Sequence, residues 1–334
     1  NLGMVKVAVF GSGSFGTALA TVVARNGHDV VMLTRSEEVV TSVNTLHKNC
    51  FYLQDFTLPD SLTATTDCVA ALKDASYIIH GVPVQASTEY LKTRAHLIPA
   101  DVPIISASKG LHTQTLQLMS ELIPAALGRD QPTAYFSGPS FAKELMEAQP
   151  TGVVIASAQR ELAVRVQTLF SSSVLRTYVS TDVIGVEVGG ALKNVFAIAA
   201  GCAKGLGFGQ NTMALLVTRG LAEQNKLACA MGSDPHTLSG LAGIGDLMLT
   251  CMGSLSRNQS VGIRLGQGET VEEIRASMKE VAEGVATAPA AVALANKYGL
   301  DCPIMRAVDG VLAGTIAPRA AVEQLMAMPL VEER

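Results

Sequence analysis

The sequence predicts an α/β protein in which a doubly wound, mostly parallel sheet is followed by an all-helical C-terminal domain. Three observations carry this expectation. Short β-branched runs alternate with helical patterns through the first half of the chain. A glycine-rich turn joins the first such run to the first helical stretch. Beyond about Thr181 strand-like runs become few, and long segments rich in Ala, Leu, Gly, Met and Glu take up helical spacing. The boundary is therefore placed near residue 180, giving domains 1–180 and 181–334.

Val5–Phe10 reads as a buried strand and Phe15–Asn26 as a helix, with Gly27 as the residue that ends it. Val30–Arg35 is the second strand. Tyr77–Val82, Pro103–Ala107 and Thr133–Ser137 follow as strands with helical stretches between most of them, and Val153–Ser157 and Leu175–Val179 add two more. In the C-terminal part Met213–Met231, Val271–Lys279 and Pro289–Lys297 read as helices. The most apolar stretch, Val183–Ala203, carries Glu187 and Lys193. It falls short of the roughly 20 uninterrupted apolar residues of a membrane span.

Composition narrows the function. The 334 residues include 25 Lys+Arg against 29 Asp+Glu, a net charge of −4, which argues against a nucleic-acid binder. Hydrophobic residues make up 48% and charged residues 16%, so disorder and coiled coil are disfavoured. With 4% aromatics and no Trp, the core must be built from small aliphatic side chains. The cysteines (Cys50, Cys68, Cys202, Cys229, Cys251 and Cys302) form no C-x-x-C pair, and the six histidines are scattered. Reduced thiols, no metal site and a cytoplasmic location without membrane insertion are the expectations, and no signal peptide is read at the start.

Gly11-Ser12-Gly13-Ser14-Phe15-Gly16 fits G-x-G-x-x-G, directly after a strand and at the opening of a helix. In that context the pattern marks a Rossmann-type dinucleotide site. Gly11 permits the tight turn, Gly13 lets the backbone approach a pyrophosphate, and Gly16 lets helix and strand pack closely. The helix N-terminus offers free N–H groups to the phosphates. NAD-selective sites place a carboxylate near the end of the second strand. Here that position reads Thr34-Arg35-Ser36, and no carboxylate appears before Glu37. Arg35 can accommodate a 2′-phosphate, so NADP(H) is expected to be accepted at least as well as NAD(H). The alternative is that Arg35 stacks on adenine or faces solvent.

Three further blocks hold chemistry. Lys193 lies on a predicted helix whose neighbours one turn away are Gly189, Gly190, Phe196 and Ala197, none of them acidic. Such a lysine either snorkels to solvent or sits in a cleft, where desolvation and nearby cations favour its neutral form and fit it for proton exchange with a carbinol oxygen. Asn194 beside it is a neutral donor for a carbonyl or an amine. Lys109 follows a strand, on the rim where α/β sheets bind ligands, unless it is an ordinary loop lysine. Gly138-Pro139-Ser140-Phe141-Ala142 follows another strand on the same rim. The third block runs from Gly243-Ile244-Gly245-Asp246 through Thr250 to Ser256-Arg257-Asn258. Ser256 or Asn258 could cap a helix, and Arg257 suits a phosphate. Asp246 as an N-cap and Arg257 as a surface ion pair are the plain alternatives.

Taken in order, these blocks resemble the NAD(P)-dependent glycerol-3-phosphate dehydrogenase family. The resemblance runs from Val5 to about Leu312 and rests on GSGSFGTALA, ASKGL, GPSFA, GGALKNVFAIAAG, GLAGIGDLMLTCMGSLSRN and VAEGVATA. It implies reversible hydride transfer between NAD(P)H and dihydroxyacetone phosphate, giving sn-glycerol 3-phosphate for phospholipid synthesis. By the same resemblance Lys193 is the proton donor and acceptor, and Lys109 touches both substrate and cofactor. Gly138, Ser140, Asp246, Thr250, Ser256, Arg257 and Asn258 then belong to the substrate pocket, and Asn194 is placed with them as the neutral donor beside Lys193. Ser14, Phe15, Arg35, Ala142, Arg257, Val281 and Glu283 join Gly11, Gly13 and Gly16 at the cofactor. A homodimer is the expected assembly. Two rival readings are a dehydrogenase of the same plan acting on a carboxylate substrate and a nicotinamide-sensing regulator. The first needs fewer donors than Lys109, Ser256, Arg257 and Asn258 supply. The second leaves Lys109, Lys193 and Asp246 without a role, and no basic helix for DNA is found.

Overall fold

The structure, a computed structural model, describes residues 3–278, 282–330 and 332. The chain packs into two compact units. One runs to Lys109 and resumes from Gln117 to Glu187; the other comprises Gly110–Leu116 and the chain from Val188 onward.

The first unit alternates strand and helix: β1 (Lys6–Phe10), α1 (Ser14–Arg25), β2 (Asp29–Leu33), α2 (Glu37–Leu46), β3 (Leu62–Thr65), α3 (Cys68–Leu72), β4 (Tyr77–His80), α4 (Val84–Lys92), β5 (Ile104–Ser106), α5 (Met119–Leu127), β6 (Thr133–Ser137), α6 (Ala142–Met146), β7 (Thr151–Ala156), α7 (Arg160–Phe170) and β8 (Leu175–Ser180). The sheet order is β3-β2-β1-β4-β5-β6-β7-β8. Neighbours pair in parallel except β6 and β7, which are antiparallel. The central strands are apolar along their middles because helices cover both faces; Val7, Val9, Ile78, Ile79, Ile104 and Ile105 are fully buried. In register, Phe10 faces Leu33 on one side and His80 on the other. The carboxyl ends of β1, β2 and β4 thus form one rim, and α1 starts from it.

The expected strands are present: Thr133–Ser137 has the expected ends, and the others have an end shifted by one or two residues. β3 was not expected: its sequence, Leu-Thr-Ala-Thr, is four residues long and half polar. It is held by parallel pairing to β2 and by Asn44, whose Oδ1 accepts the Ala64 N–H at 2.8 Å. Gly27 follows the Asn26 C-cap of α1 with φ +86°, the left-handed conformation that ends a helix cheaply only at glycine.

The helix α8 (Val183–Gly205) crosses in sequence from the first unit to the second. By length and composition it could span a membrane, yet 78% of its most apolar window is buried inside the protein. There follow α9 (Gln210–Ala230), a 3₁₀ turn (Thr237–Ser239), a π-helical turn (Leu241–Gly245), α10 (Asp246–Met252), α11 (Arg257–Gly266), α12 (Val271–Ser277), α13 (Glu283–Lys297), α14 (Pro303–Leu312) and α15 (Pro318–Met326). The helix expected to start at Pro289 begins at Glu283 instead, with Pro289 inside it. Burial of Gly284, Thr287, Ala288, Ala290 and Ala291 carries α13 through the proline. The helix expected over Val271–Lys279 ends at Ser277, and Lys279 lies outside the described residues.

Within the second unit α8 and α11 cross at backbone distance. A Cβ on Gly201 would lie 2.2 Å from the Gln259 carbonyl oxygen, and one on Gly262 would lie 2.1 Å from that of Ile198. Glu223 of α9 is buried and accepts the Ile304 and Met305 N–H groups at 2.7 and 3.1 Å, which closes the start of α14. Burial pushes its carboxyl up to about 7.

A second interior carboxyl, Glu187, belongs to the first unit. It accepts the Ser120 N–H at the start of α5 at 3.2 Å, and its Oε2 is enclosed without a partner among the described residues. Burial raises this carboxyl to about 8. The folded chain therefore retains a proton that the unfolded chain has released above its ordinary value of 4.5. The stability this contributes is complete below that value and is lost as pH rises through about 8. Glu187→Gln is expected to flatten the fall of melting temperature between about pH 5 and pH 9. Melting curves for the two proteins across that range check it, and equal slopes would show that Glu187 does not titrate there.

Candidate active site

In the first unit the glycine loop is constrained as the fingerprint requires. Gly11 has φ +106°, and a Cβ there would lie 3.1 Å from the Gly81 carbonyl oxygen. A Cβ on Gly16 would lie 2.2 Å from the carbonyl oxygen of Gly11, so the loop's own backbone is the tightest constraint at that position. Gly13 is the N-cap of α1, no side chain caps the helix there, and its missing Cβ would point into space empty to 4 Å. An uncapped helix start with open space at the second glycine fits a dinucleotide pyrophosphate. Ser14 and Phe15 form the first turn, and the Phe15 ring lies 5.7 Å from Lys109 Nζ.

A residue not singled out in the sequence braces this loop. Asn49, almost fully buried, donates from Nδ2 to the Ser12 carbonyl and to Thr17 Oγ1, both at 2.9 Å. Its only signal is a local one: Oδ1 accepts the Phe51 and Tyr52 N–H groups in a turn. Arg35 is exposed just beyond β2. Glu37, the first carboxylate after that strand, accepts a hydrogen bond from Thr66 Oγ1 at 2.7 Å. Thr34 is hydrogen-bonded to Ser12 Oγ at 2.8 Å, tying the strand end to the loop.

Farther along the rim, Lys109 Nζ and Ser140 Oγ both donate to the Gly138 carbonyl at 2.9 Å. Gly138 has φ +125°, and a Cβ would approach Val153 Cα to 3.0 Å. Ala142 opens α6 immediately beyond. Lys109, Gly138 and Ser140 are thus one hydrogen-bonded group. His80, at the end of β4, is a core residue: it is fully buried, bonded to Ser87 at 2.8 Å, and desolvation lowers its imidazole to about 3. Among the described residues no group of three or more His, Cys, Asp or Glu side chains is placed to hold a metal.

In the second unit Lys193 is about nine-tenths buried and its Nζ lies 2.5 Å from Asp246 Oδ1. Asp246 is fully buried. It is the first residue of α10, but its carboxylate is turned to the lysine. The π turn places it: a Cβ on Gly243 would lie 2.0 Å from the Leu238 carbonyl oxygen, and one on Gly189 of α8 would lie 2.2 Å from that of Ala242. Gly243 lets the π turn fold back on Leu238, and Gly189 lets it press directly onto α8 one helical turn before Lys193. Gln224 of α9 donates to the Gly189 carbonyl at 2.7 Å from the other side. Thr250 Oγ1 donates to the Asp246 carbonyl at 2.6 Å. Cys251 is buried close by, and burial pushes its thiol up to about 12.

Ser256 is the N-cap of α11, accepting the Gln259 N–H at 3.2 Å. Arg257 is the first residue of that helix and is exposed. Asn258 is buried, and its Oδ1 accepts the Gly284 N–H at 2.9 Å. Asn194 is buried on α8 beside Lys193, and Glu283 opens α13. Val281 lies outside the described residues.

A sheet of this order, entered through an uncapped glycine turn and followed by a helical unit with a buried amine, is the plan of a nicotinamide-dependent dehydrogenase. The chain belongs to the NAD-dependent glycerol-3-phosphate dehydrogenase family. The family's N-terminal description matches residues 6–163 and its C-terminal description residues 182–323. The chain is 50% identical over 331 residues to a chloroplastic glycerol-3-phosphate dehydrogenase [NAD(+)] of Arabidopsis thaliana, covering 98% of this chain and 79% of that protein. It is 48% identical to the glycerol-3-phosphate dehydrogenase [NAD(P)+] of Leptospira biflexa, covering 98% and 99%. The solved structure of glycerol-3-phosphate dehydrogenase from Coxiella burnetii matches with a TM-score of 0.92 at 35% identity, over 97% of this chain and 99% of that one. A ketopantoate reductase from Ralstonia eutropha, at 16% identity and a TM-score of 0.58 over 95% and 99%, shares the fold alone.

Removing one member of a buried ion pair strands the other charge, at a cost of about 3–5 kcal/mol. Asp246→Ala is expected to lose stability on that scale in urea denaturation of the ligand-free protein, and Lys193→Met added to it should restore most of the loss. A single variant as stable as the parent would mean that the pair is not maintained in solution.

Proposed function

We propose that the chain reversibly reduces dihydroxyacetone phosphate to sn-glycerol 3-phosphate with NADPH or NADH, and that Lys193 moves the proton. The buried Lys193–Asp246 pair, at 2.5 Å, is the observation that carries this reading. When bound, the nicotinamide ring supplies the hydride in reduction and takes it back in oxidation. As the substrate carbonyl carbon gains hydride, its oxygen gathers negative charge. Lys193 meets that charge as a cation and delivers a proton from Nζ, giving the C2 hydroxyl; in oxidation the same nitrogen recovers the proton. Asp246 holds the ammonium in place through both directions and balances its charge in the interior. Asn194 adds a neutral donor on the same helix.

The phosphate is assigned to Arg257, whose planar fork matches phosphate oxygens and whose position on the first turn of α11 adds backbone N–H donors. Ser256 supports it by closing that turn. Lys109, Gly138 and Ser140 supply the substrate contacts of the first unit, with Lys109 also serving the cofactor. The glycine loop, Ser14, Phe15, Ala142, Val281 and Glu283 complete the cofactor set. Arg35 is assigned to the adenosine end. Glu37 is engaged by Thr66, which leaves the arginine as the group to meet a 2′-phosphate, so NADPH is used at least as well as NADH. The proposal extends to a homodimer working in the cytoplasm and to supply of glycerol phosphate for phospholipid synthesis.

Lys193→Ala is expected to lower kcat by roughly 10²–10⁴-fold while cofactor binding is largely kept. Turnover followed at 340 nm and NADPH titration by fluorescence read the two quantities, and near-normal turnover would take Lys193 out of the mechanism. Arg35→Asp is expected to shift the ratio of kcat/KM for NADPH over NADH towards NADH by about tenfold or more, the scale of one lost charge-assisted phosphate contact. An unchanged ratio would remove Arg35 from cofactor choice.

A further inference from the structure

Gly284, in the first turn of α13, is where three helices of the second unit converge. A Cβ there would lie 2.7 Å from the Asn194 carbonyl oxygen, 2.7 Å from Asn258 Oδ1 and 2.9 Å from Ile198 Cδ1. Asn194 and Ile198 belong to α8, next to and one turn beyond Lys193. Asn258 belongs to α11, directly after Arg257. The Gly284 N–H is itself the donor to Asn258 Oδ1, at 2.9 Å, in a buried bond between residues 26 apart in sequence. One glycine thus touches the backbone of the proton-carrying helix and buckles the first turn of the arginine-bearing helix.

The two partners differ in how far they can yield. The Asn194 carbonyl is locked in α8, whose surrounding residues Ala191, Leu192, Val195, Phe196 and Ala197 are at most 1% exposed. The Asn258 contact is a side chain at the start of a helix, in a turn whose neighbours Leu255 and Arg257 are exposed. Ile198 Cδ1 is the tip of a flexible side chain and can turn aside, so added volume at Gly284 that the α8 backbone cannot absorb falls on the α11 turn.

We infer that Gly284 and the Asn258 carboxamide form a positioning device that sets where the Arg257 guanidinium stands relative to Lys193. Asn258 acts here through its Oδ1, which is committed to α13. This inference rests on the reading of Arg257 as the phosphate anchor. It assigns Gly284 a role in substrate affinity, exercised through Asn258 and the first turn of α11.

The test is a double-mutant cycle of Gly284→Ala with Arg257→Ala, read by steady-state kinetics with dihydroxyacetone phosphate at saturating NADPH. Overpacking at Gly284 is expected to raise KM about tenfold with kcat kept within about threefold. In the Arg257→Ala background, where the displaced group is already gone, the same substitution is expected to change KM by less than about threefold. A general loss of structure would lower kcat and would multiply with Arg257→Ala. Should Gly284→Ala not fold, Asn258→Ala takes its place in the cycle, since it removes the acceptor without adding volume, and the same non-additivity is expected. KM effects that multiply, or a Gly284→Ala enzyme with unchanged KM, overturn the positioning role and leave the phosphate assignment standing. An Arg257→Ala enzyme with unchanged KM overturns the phosphate assignment itself, and the positioning role with it.

Discussion

An ammonium group removed from water needs a counter-charge, and most of the helical unit can be understood as the means of providing one to Lys193. The lysine sits on α8, whose buried faces leave its amine little access to solvent. Its counter-ion comes from 53 residues away in sequence, on a different helix. Bringing the two together requires the π turn that leads into α10 to lie against α8 at backbone distance. Gly189 gives up its side chain to that approach, and Gly243 gives up its own so that the turn can fold back on Leu238. Gln224 secures the Gly189 carbonyl from the opposite side, and Thr250 secures the carbonyl of Asp246. The ion pair is costly to dehydrate, and this supporting shell is what gives it a single geometry.

The same economy of side chains recurs where α8 meets α11. Gly201 and Gly205 on one helix face Gly262 and Gly266 on the other, and a Cβ added to any of the four would run into a backbone carbonyl oxygen of the facing helix. The composition of the chain, low in aromatics and free of Trp, suits such a unit: its layers are separated by the thickness of a backbone. The α/β unit solves the opposite problem. Its sheet is buried on both faces by ordinary aliphatic side chains, and three of its glycines, Gly11, Gly16 and Gly138, relieve tight backbone contacts at the rim.

The sequence was informative where one short segment dictates its own structure. The run from Val5 through Gly16 shows a strand, a turn and a helix start without reference to the rest of the chain, and the structure has them. Gly27 was legible as a helix end for the same reason. β3 was not, because two of its four residues are threonines and its place depends on pairing with β2. The extra turns of α13 before Pro289 were missed because proline reads as a boundary, whereas buried packing carries the helix through it. At the site, residue types were legible and their partners were not. Ser256 could be read as a cap or as a ligand; its hydroxyl caps α11. Asn258 could be read the same way; its Oδ1 accepts a hydrogen bond from α13, a partner that no local pattern announces. Nothing local marks Asn49 as a brace for the glycine loop, or Thr66 as the partner of Glu37, since both bonds join segments about 30 residues or more apart.

The π turn before Asp246 has a bearing on how this family can diverge. Five residues, Leu241–Gly245, wind one wide turn, and α10 continues directly from it. Each residue of an α-helix advances the next by about 100° around the axis. Losing or gaining one residue in this stretch would therefore swing the Asp246 carboxylate about a quarter of a turn or more away from α8. Surface loops elsewhere in the chain can change length freely. This segment is therefore constrained in length, because an insertion or deletion in it would turn the Asp246 carboxylate away from Lys193.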